Sequence, residues 1–315
     1  MHRLSLEAHT YHTPVLLQEV LFYLLTARNG FYVDGTLGGG GHAEAILEQL
    51  APHGTLIGID LDDDALEEAS TRLVGFRDCT IFVKENFKNI KSVLSQHGVN
   101  QVQGILLDLG ISSYQIDEPA KGFSFQMDEQ LDMRMDRHQQ ANAKHIINQY
   151  DEQALVDILW KYGEEKHSRR IAKAIVQRRT EQPIETTGQL AAIIERTIGG
   201  QFLNKTLARV FQAIRIEVNN ELENLRHVLY DCVDVLNPGG RLVVISYHSL
   251  EDRLVKYAFR AASAQTIPSG NKIIPDTPLQ PVLKILTRKP VTASEEEMAN
   301  NSRARSAKLR AAEKI

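Results

Sequence analysis

The chain has 315 residues, 43% hydrophobic and 24% charged, with a formal net charge of −4. That is long enough to bury one large core or two smaller ones, in globular proportions. The negative balance excludes a uniformly basic nucleic-acid coat, and no apolar run approaches the ~18–20 residues that span a bilayer.

The N-terminal MHRLSLEAHTYHTP carries no secretory core. Thr13-Pro14 reads as a helix start, with Thr13 capping and Pro14 in the first turn. VLLQEVLFYLL follows, apolar on most sides and expected to be buried. His12 is read as structural.

Phe31 to Ala43, FYVDGTLGGGGHA, organises the rest. Phe31, Tyr32 and Val33 form a strand that Asp34 and Gly35 stop. Gly38 to Gly41 allow a tight turn whose backbone N–H groups can crowd a ligand. His42 to Leu50 is a helix with Ala43, Ile46, Leu47 and Leu50 on one face. Gly38, Gly40 and Ala43 satisfy G-x-G-x-x-A, the opening of a nucleotide-type site. The next strand, GTLIGID, ends in Asp60, where an acid can take the ribose hydroxyls of an adenosine. Asp34 favours S-adenosylmethionine over NAD. A carboxylate at that strand tip can hold an amino-acid ammonium and would repel a pyrophosphate. An NAD-dependent dehydrogenase is one rival reading, and a non-catalytic RNA-binding or assembly factor that uses the basic insertion and tail is the other.

Asp62 to Leu73 is a helix with acids in its first turn. Cys79 to Val83 is a third strand, and Asn86 caps a helix carrying Phe87, Ile90, Val93 and Leu94. Phe87 follows a strand end, where it can lie against an adenine or fill the core. Val102 to Leu109 is a fourth strand, apolar enough for burial on both faces, with Asp108 at its tip. Three strand tips thus carry acids, Asp34, Asp60 and Asp108. Such acids are costly as pure structure and suit a cationic, hydroxyl-rich ligand.

From Tyr114 the pattern changes to a long loop through GFSF and LDMRMD, then to helices over 143–149, 152–162, 168–180 and 187–198. Residues 113–204 read as a helical insertion in an α/β domain. Between Lys161 and Arg179 stand seven Lys/Arg against two Glu, and Arg170, Lys173 and Arg178 can track a phosphate backbone. Trp160 and Tyr162 are expected in the core rather than as stacking platforms. Thr206 to Leu236 reads as one long helical pattern, stopped by Asn237-Pro238-Gly239-Gly240. RLVVISYHS is a fifth strand, and Ser249 is the expected cap of the helix SLEDRLVKYAFR. VLKILTRK is a late strand, and NNSRARSAKLRAAEKI is a basic tail expected to be mobile until it meets a partner. Cys79 and Cys232 make no metal pattern and read as buried thiols, consistent with a reducing cytosol.

HTPVLL, DGTLGGGGH, GILLDLGISS, GFSF, LDMRMD, YGEE, FQAIRIEVNNEL, NPGGRL, ISYHSLEDR and NSRARS, in this order, resemble the ribosomal RNA small subunit methyltransferase H family across nearly the whole chain. The resemblance implies an α/β, class I S-adenosylmethionine-dependent methyltransferase (Rossmann-like) sheet with an inserted all-helical domain. Residues 1–112 and 205–315 would bind S-adenosylmethionine, and 113–204 would meet the RNA. It implies N4-methylation of a decoding-site cytidine in 16S rRNA of the small ribosomal subunit, in the cytoplasm. It leaves a homodimer open. By position, its cofactor contacts fall on Gly40, Gly41, His42, Asp60, Phe87, Asp108 and Gln115. The residues alone had reached all of these except His42 and Gln115.

The expected step is in-line attack by cytidine N4 on a sulfonium methyl, with Asp108 as the candidate catalytic acceptor of an N4 hydrogen. DNA aminomethyltransferases usually present an acid or Asn, two prolines and an aromatic at this tip. Here the sequence is DLGI, so their mechanism does not transfer simply. Tyr247, His248 and the GFSF loop are the candidates for stacking the target base, which must be splayed out to be reached.

Overall fold

Side chains alternate across a strand, so a strand buried on both faces must feed two cores. The computed structural model, which describes residues 14–110, 121–267, 269–271 and 275–315, follows this rule. Tyr32, Leu56, Leu106, Val243 and Ile245 face one apolar cluster. Their neighbours Val33, Ile57, Ile105, Leu107, Leu242 and Val244 face another.

The strands are β1 (Gly30–Asp34), β2 (Gly54–Asp60), β3 (Thr80–Lys84), β4 (Val102–Asp108), β5 (Leu236–Ser246), β6 (Leu283–Ile285) and β7 (Lys308–Lys314). They form a seven-stranded sheet in the order β3-β2-β1-β4-β5-β7-β6. The first five are parallel, with Val33 opposite both Ile57 and Ile105. β7 runs antiparallel to β5 and β6, with Leu242 opposite Ala312.

The first cluster is covered by α1 (Leu17–Leu24), α2 (Gly41–Leu50) and α3 (Asp63–Arg72). The second is covered by α4 (Ile90–Gln96), α10 (Glu221–Val235) and α11 (Ser249–Ala262). A third cluster runs from Phe123 to Val218. It is built from the 121–142 loop with α5 (Ala143–Gln149), α6 (Glu152–Lys161), α7 (Ser168–Glu181), α8 (Thr187–Ile198) and α9 (Leu203–Asn219). Leu207, Val210, Phe211, Ala213, Ile214 and Val218 of α9 belong to this third cluster, so we place the seam between sheet layer and helical layer at Asn219–Asn220.

Several local expectations change. The 206–236 pattern is two helices, broken where Asn220 adopts φ +50°. Asn tolerates that left-handed conformation, and the apolar periodicity runs on because each half feeds a different cluster. The Asn237–Gly240 turn lies inside β5, where the register against β4 shifts. The helix α11 is capped by His248, not Ser249. His248 Nδ1 accepts the Glu251 N–H at 3.4 Å, and Glu251 reaches back to the His248 N–H at 3.3 Å. Thr13 lies outside the described residues. α1 instead begins after Leu16, at φ +55°, whose N–H donates to Glu297 Oε1 at 2.7 Å.

The C-terminal tail is not a free arm. Lys308–Lys314 is inserted between β5 and β6, and Leu309, Ala311 and Ala312 are fully buried. Its apolar alternation sits among basic residues, and Arg310 is neutralised by Asp252 on α11 at 2.6 Å. Trp160 also departs from expectation. The buried face of α6 is Leu155, Ile158 and Leu159, which turns Trp160 outward at 61% exposure. Cys79 and Cys232 are both free and buried. Among the described residues, no helix is long and apolar enough to cross a membrane.

Candidate active site

The strand order reverses between β1 and β4, and a crevice opens at the carboxyl ends of strands at such a point. Here it is a cleft of about 1590 Å³ between the sheet and the helical layer. One wall is the β1–α2 turn. Gly38 and Gly40 adopt φ +50° and +78°, conformations that a side chain would strain. The Gly38 N–H donates to Asp60 Oδ2 at 2.8 Å, locking the turn to the tip of β2. Asp60 Oδ1 accepts the Asp62 N–H at 2.9 Å. Burial raises the Asp60 carboxyl above the usual range, and these backbone donors work against that rise.

At the tip of β4, Asp108 is tied to the same turn: its N–H donates to Thr36 Oγ1 at 2.6 Å. Its Oδ2 is 3.7 Å from His42 Nδ1, and its Oδ1 is buried with no hydrogen-bond partner among the described residues. Burial raises this carboxyl also, opposed first by His42 and then by the Tyr247 hydroxyl. Asp108 lines the cleft, and a buried carboxylate oxygen without a partner there is an acceptor with unused capacity.

Gly41, His42, Asp60, Phe87 and Asp108 all line the cleft. Gly40 does not. It is the N-cap of α2, and a Cβ there would stand 3.2 Å from the Ala69 Cβ, so its place is in packing the turn on α3. Gln115 lies outside the described residues. Asp34 is only 1% exposed and does not line the cleft. It accepts the Thr36 N–H at 3.1 Å, and burial pushes its carboxyl up to about 6. The ammonium-holding role expected of it has no support in this geometry.

The facing wall comes from α9, α10 and the β5–α11 junction, including Phe211, Arg215, Glu221, Tyr247, His248 and Glu251. Arg215 grips both Glu221 oxygens at 2.9 Å, across the Asn219–Asn220 seam. Phe125 of the GFSF loop packs edge-on against Phe211, with centroids 5.4 Å apart. Neither Glu221 nor Glu251 stands out along the chain, because their approach depends on the seam. Glu221, His248 and Glu251 offer ligand atoms within 4.8 Å of one another. Glu221 is held by Arg215 and Glu251 by the backbone N–H groups of Tyr247 and His248, while His248 Nε2 lies 3.1 Å from Glu251 Oε1 and has no hydrogen-bond partner among the described residues. Arg303 and Ser306, from the segment before β7, also line the cleft.

The basic stretch of α7 is partly structural. Arg170 donates to the Thr197 carbonyl at 2.7 Å, Arg179 to the Ile147 carbonyl at 2.7 Å, and Arg178 pairs with Glu181 at 3.2 Å. Lys173 is exposed.

A doubly wound sheet with an antiparallel strand between β5 and β6, and a cleft at its acidic strand tips, defines a Rossmann-like methyltransferase. The chain belongs to the MraW methylase family, whose model matches residues 9–315. A ribosomal RNA small subunit methyltransferase H from Syntrophus aciditrophicus (strain SB) is 46% identical over 310 residues, covering 98% of each chain. Its counterpart from Carboxydothermus hydrogenoformans is 48% identical over 306 residues, covering 96% of this chain and 98% of that one. The solved rRNA methylase of Streptococcus thermophilus is similar over 95% of this chain and 93% of its own, at TM-score 0.39 and 12% identity.

Proposed function

We propose that the chain transfers a methyl group from S-adenosylmethionine to N4 of a decoding-site cytidine in 16S rRNA, in the cytoplasm. Membership of a methylase family and two near-full-length relatives named for the small-subunit rRNA support the methyl transfer and the RNA class. The observation that carries the chemistry is that Asp108 lines the cleft at the tip of β4 with an oxygen that has no hydrogen-bond partner among the described residues.

The residues suit the cofactor. Each Asp60 oxygen takes one backbone N–H and keeps a lone pair for a ribose hydroxyl. Phe87 offers an aromatic side chain on the same cleft, next to the end of β3. Gly41 and His42 bring the start of α2 to its edge. Gln115 completes the set by resemblance. Bound S-adenosylmethionine supplies an electrophilic methyl.

The rest is orientation and charge. The N4 lone pair of cytosine is delocalised into its ring. A carboxylate oxygen that accepts an N4 hydrogen localises that pair for attack and takes the proton N4 must lose. Asp108 Oδ1 does this in our reading, and Tyr247 and His248 flank it as walls for the splayed base. Tritiated methyl transfer to small subunits from a strain lacking the modification, followed by nucleoside analysis, tests the proposal. Label on N4-methylcytidine is expected; label on C5 or O2′, or none, rejects it.

A further inference from the structure

We propose that Trp160 is a stacking platform for a nucleotide of the RNA that lies beside the cleft, outside the pocket for the target base. This rests on the RNA reading above. Trp160 is the only tryptophan in the chain, and it stands 61% exposed at the last turn of α6. An aromatic ring held out on a rigid helix can stack any base, whatever the sequence.

The position is continuous with the cleft. Two residues on, the Tyr162 carbonyl accepts from Gln212 Nε2 at 2.9 Å, and Gln212 lines the cleft. The Glu164 N–H donates to the Trp160 carbonyl at 3.1 Å. The Glu164 side chain accepts from Ser249 Oγ at 2.7 Å and Arg253 at 2.8 Å, and His248, next in the chain, lines the cleft. A strand of RNA leaving the cleft over this lip meets Trp160.

The surroundings suit phosphate. Lys161 follows Trp160, its Nζ 4.8 Å from the Tyr162 ring centre. Arg209, 45% exposed, sits where α9 crosses Gly163. Further out on α9, Lys205 stands 6.0 Å from the ring of Phe202, a second exposed aromatic at 59%. The nearby acids are engaged: Glu164 with Arg253 and Ser249, and Glu165 buried against Arg209. Asp157, one turn back on α6, accepts from Gln153. On a chain of net charge −4, a lip with two lysines, Lys161 and Lys205, beside two open rings favours a polyanion of stacked bases.

A single tryptophan makes the test direct. The full-length protein with S-adenosylhomocysteine is titrated with a protein-free 16S rRNA fragment carrying the target, and with small subunits, following emission and iodide quenching. We expect the RNA to quench Trp160 emission and shield it from iodide. Trp160→Ala should raise KM for subunits roughly tenfold, with kcat and S-adenosylhomocysteine affinity unchanged, and Trp160→Phe should recover most of the loss. Unchanged emission and an unchanged KM, in a protein that still methylates subunits, overturn the platform alone. Shielding by subunits but not by the RNA fragment assigns the ring to a ribosomal protein and also overturns it. A wild-type protein that neither binds nor methylates the RNA overturns the platform together with the reading beneath it.

Discussion

His42 Nε2 lies 2.9 Å from the Val15 carbonyl oxygen while its Nδ1 faces Asp108 Oδ2 at 3.7 Å. A carbonyl oxygen only accepts, so Nε2 carries a proton and Nδ1 is the edge turned toward the carboxylate. The contact joins the start of α2 to the tip of β4. Asp108 in turn lines the cleft.

Transfer in our reading requires the Asp108 carboxylate, so the rate falls as pH drops through its pKa. Burial raises that pKa, and His42 and then Tyr247 hold it down. Tyr247→Phe removes a donor to the carboxylate, so the acid limb of the single-turnover rate moves to higher pH. A limb that stays in place, or moves down, contradicts the assignment. Asp108→Asn should lower the single-turnover rate roughly 100-fold or more at the plateau.

Asp60 presents two oxygens at the end of β2, each already fixed by a backbone N–H. Asp60→Ala removes the ribose acceptors and frees the Gly38 N–H. Calorimetric titration with S-adenosylhomocysteine should show affinity reduced roughly 10- to 100-fold, the scale of lost charge-assisted hydrogen bonds. Undiminished affinity would place the adenosine elsewhere.

Asp34 gives a stability prediction with a definite sign. Its carboxyl is raised from 3.8 to about 6 by burial, with His42 and the Thr36 N–H opposing. Between those values the native state keeps a proton that the unfolded chain releases, so stability falls as pH rises through the window. Above it the full penalty applies, on the order of 3 kcal/mol. Asp34→Asn can keep the Thr36 hydrogen bond without the charge. Urea unfolding should find it more stable than wild type at pH 7 by ~1–3 kcal/mol, the gap closing toward pH 4. Parallel pH profiles for the two proteins would falsify this account.

Arg310 is 6% exposed in the strand β7 and pairs with Asp252 at 2.6 Å. Removing one partner of a buried pair strands the other charge, which costs about 3–5 kcal/mol. Arg310→Met should therefore destabilise strongly. Arg310→Met with Asp252→Leu should recover much of the loss. Thermal melts of the three variants measure this, and a double variant no better than the single one would mean that the pair does more than neutralise itself.

The sheet was legible because burial on both faces writes continuous apolar runs: Tyr32–Val33, Leu56–Ile59 and Ile105–Leu107 each sit next to turn chemistry. Asp60 and Asp108 could be read as strand-tip acids for the same reason, since a strand's end follows from where its apolar run stops. The four helices over 143–198 were legible as separate elements along the chain, and the structure caps the last of them with a Thr186–Gln189 box.

Tertiary structure alone decided which side chains face the cleft. Asp34 and Asp60 look equivalent along the chain, yet Asp34 is buried away from the cleft and Asp60 lines it, because direction at a strand tip depends on what packs against it. The break at Asn220 was hidden because apolar periodicity continues on both sides of it, and only the third cluster separates α9 from α10. The same holds for the C-terminus and for Trp160. A basic composition conceals a strand whose charges are neutralised by distant residues, and a tryptophan's hydrophobicity predicts burial that the helix's own inward face, Leu155, Ile158 and Leu159, had already taken.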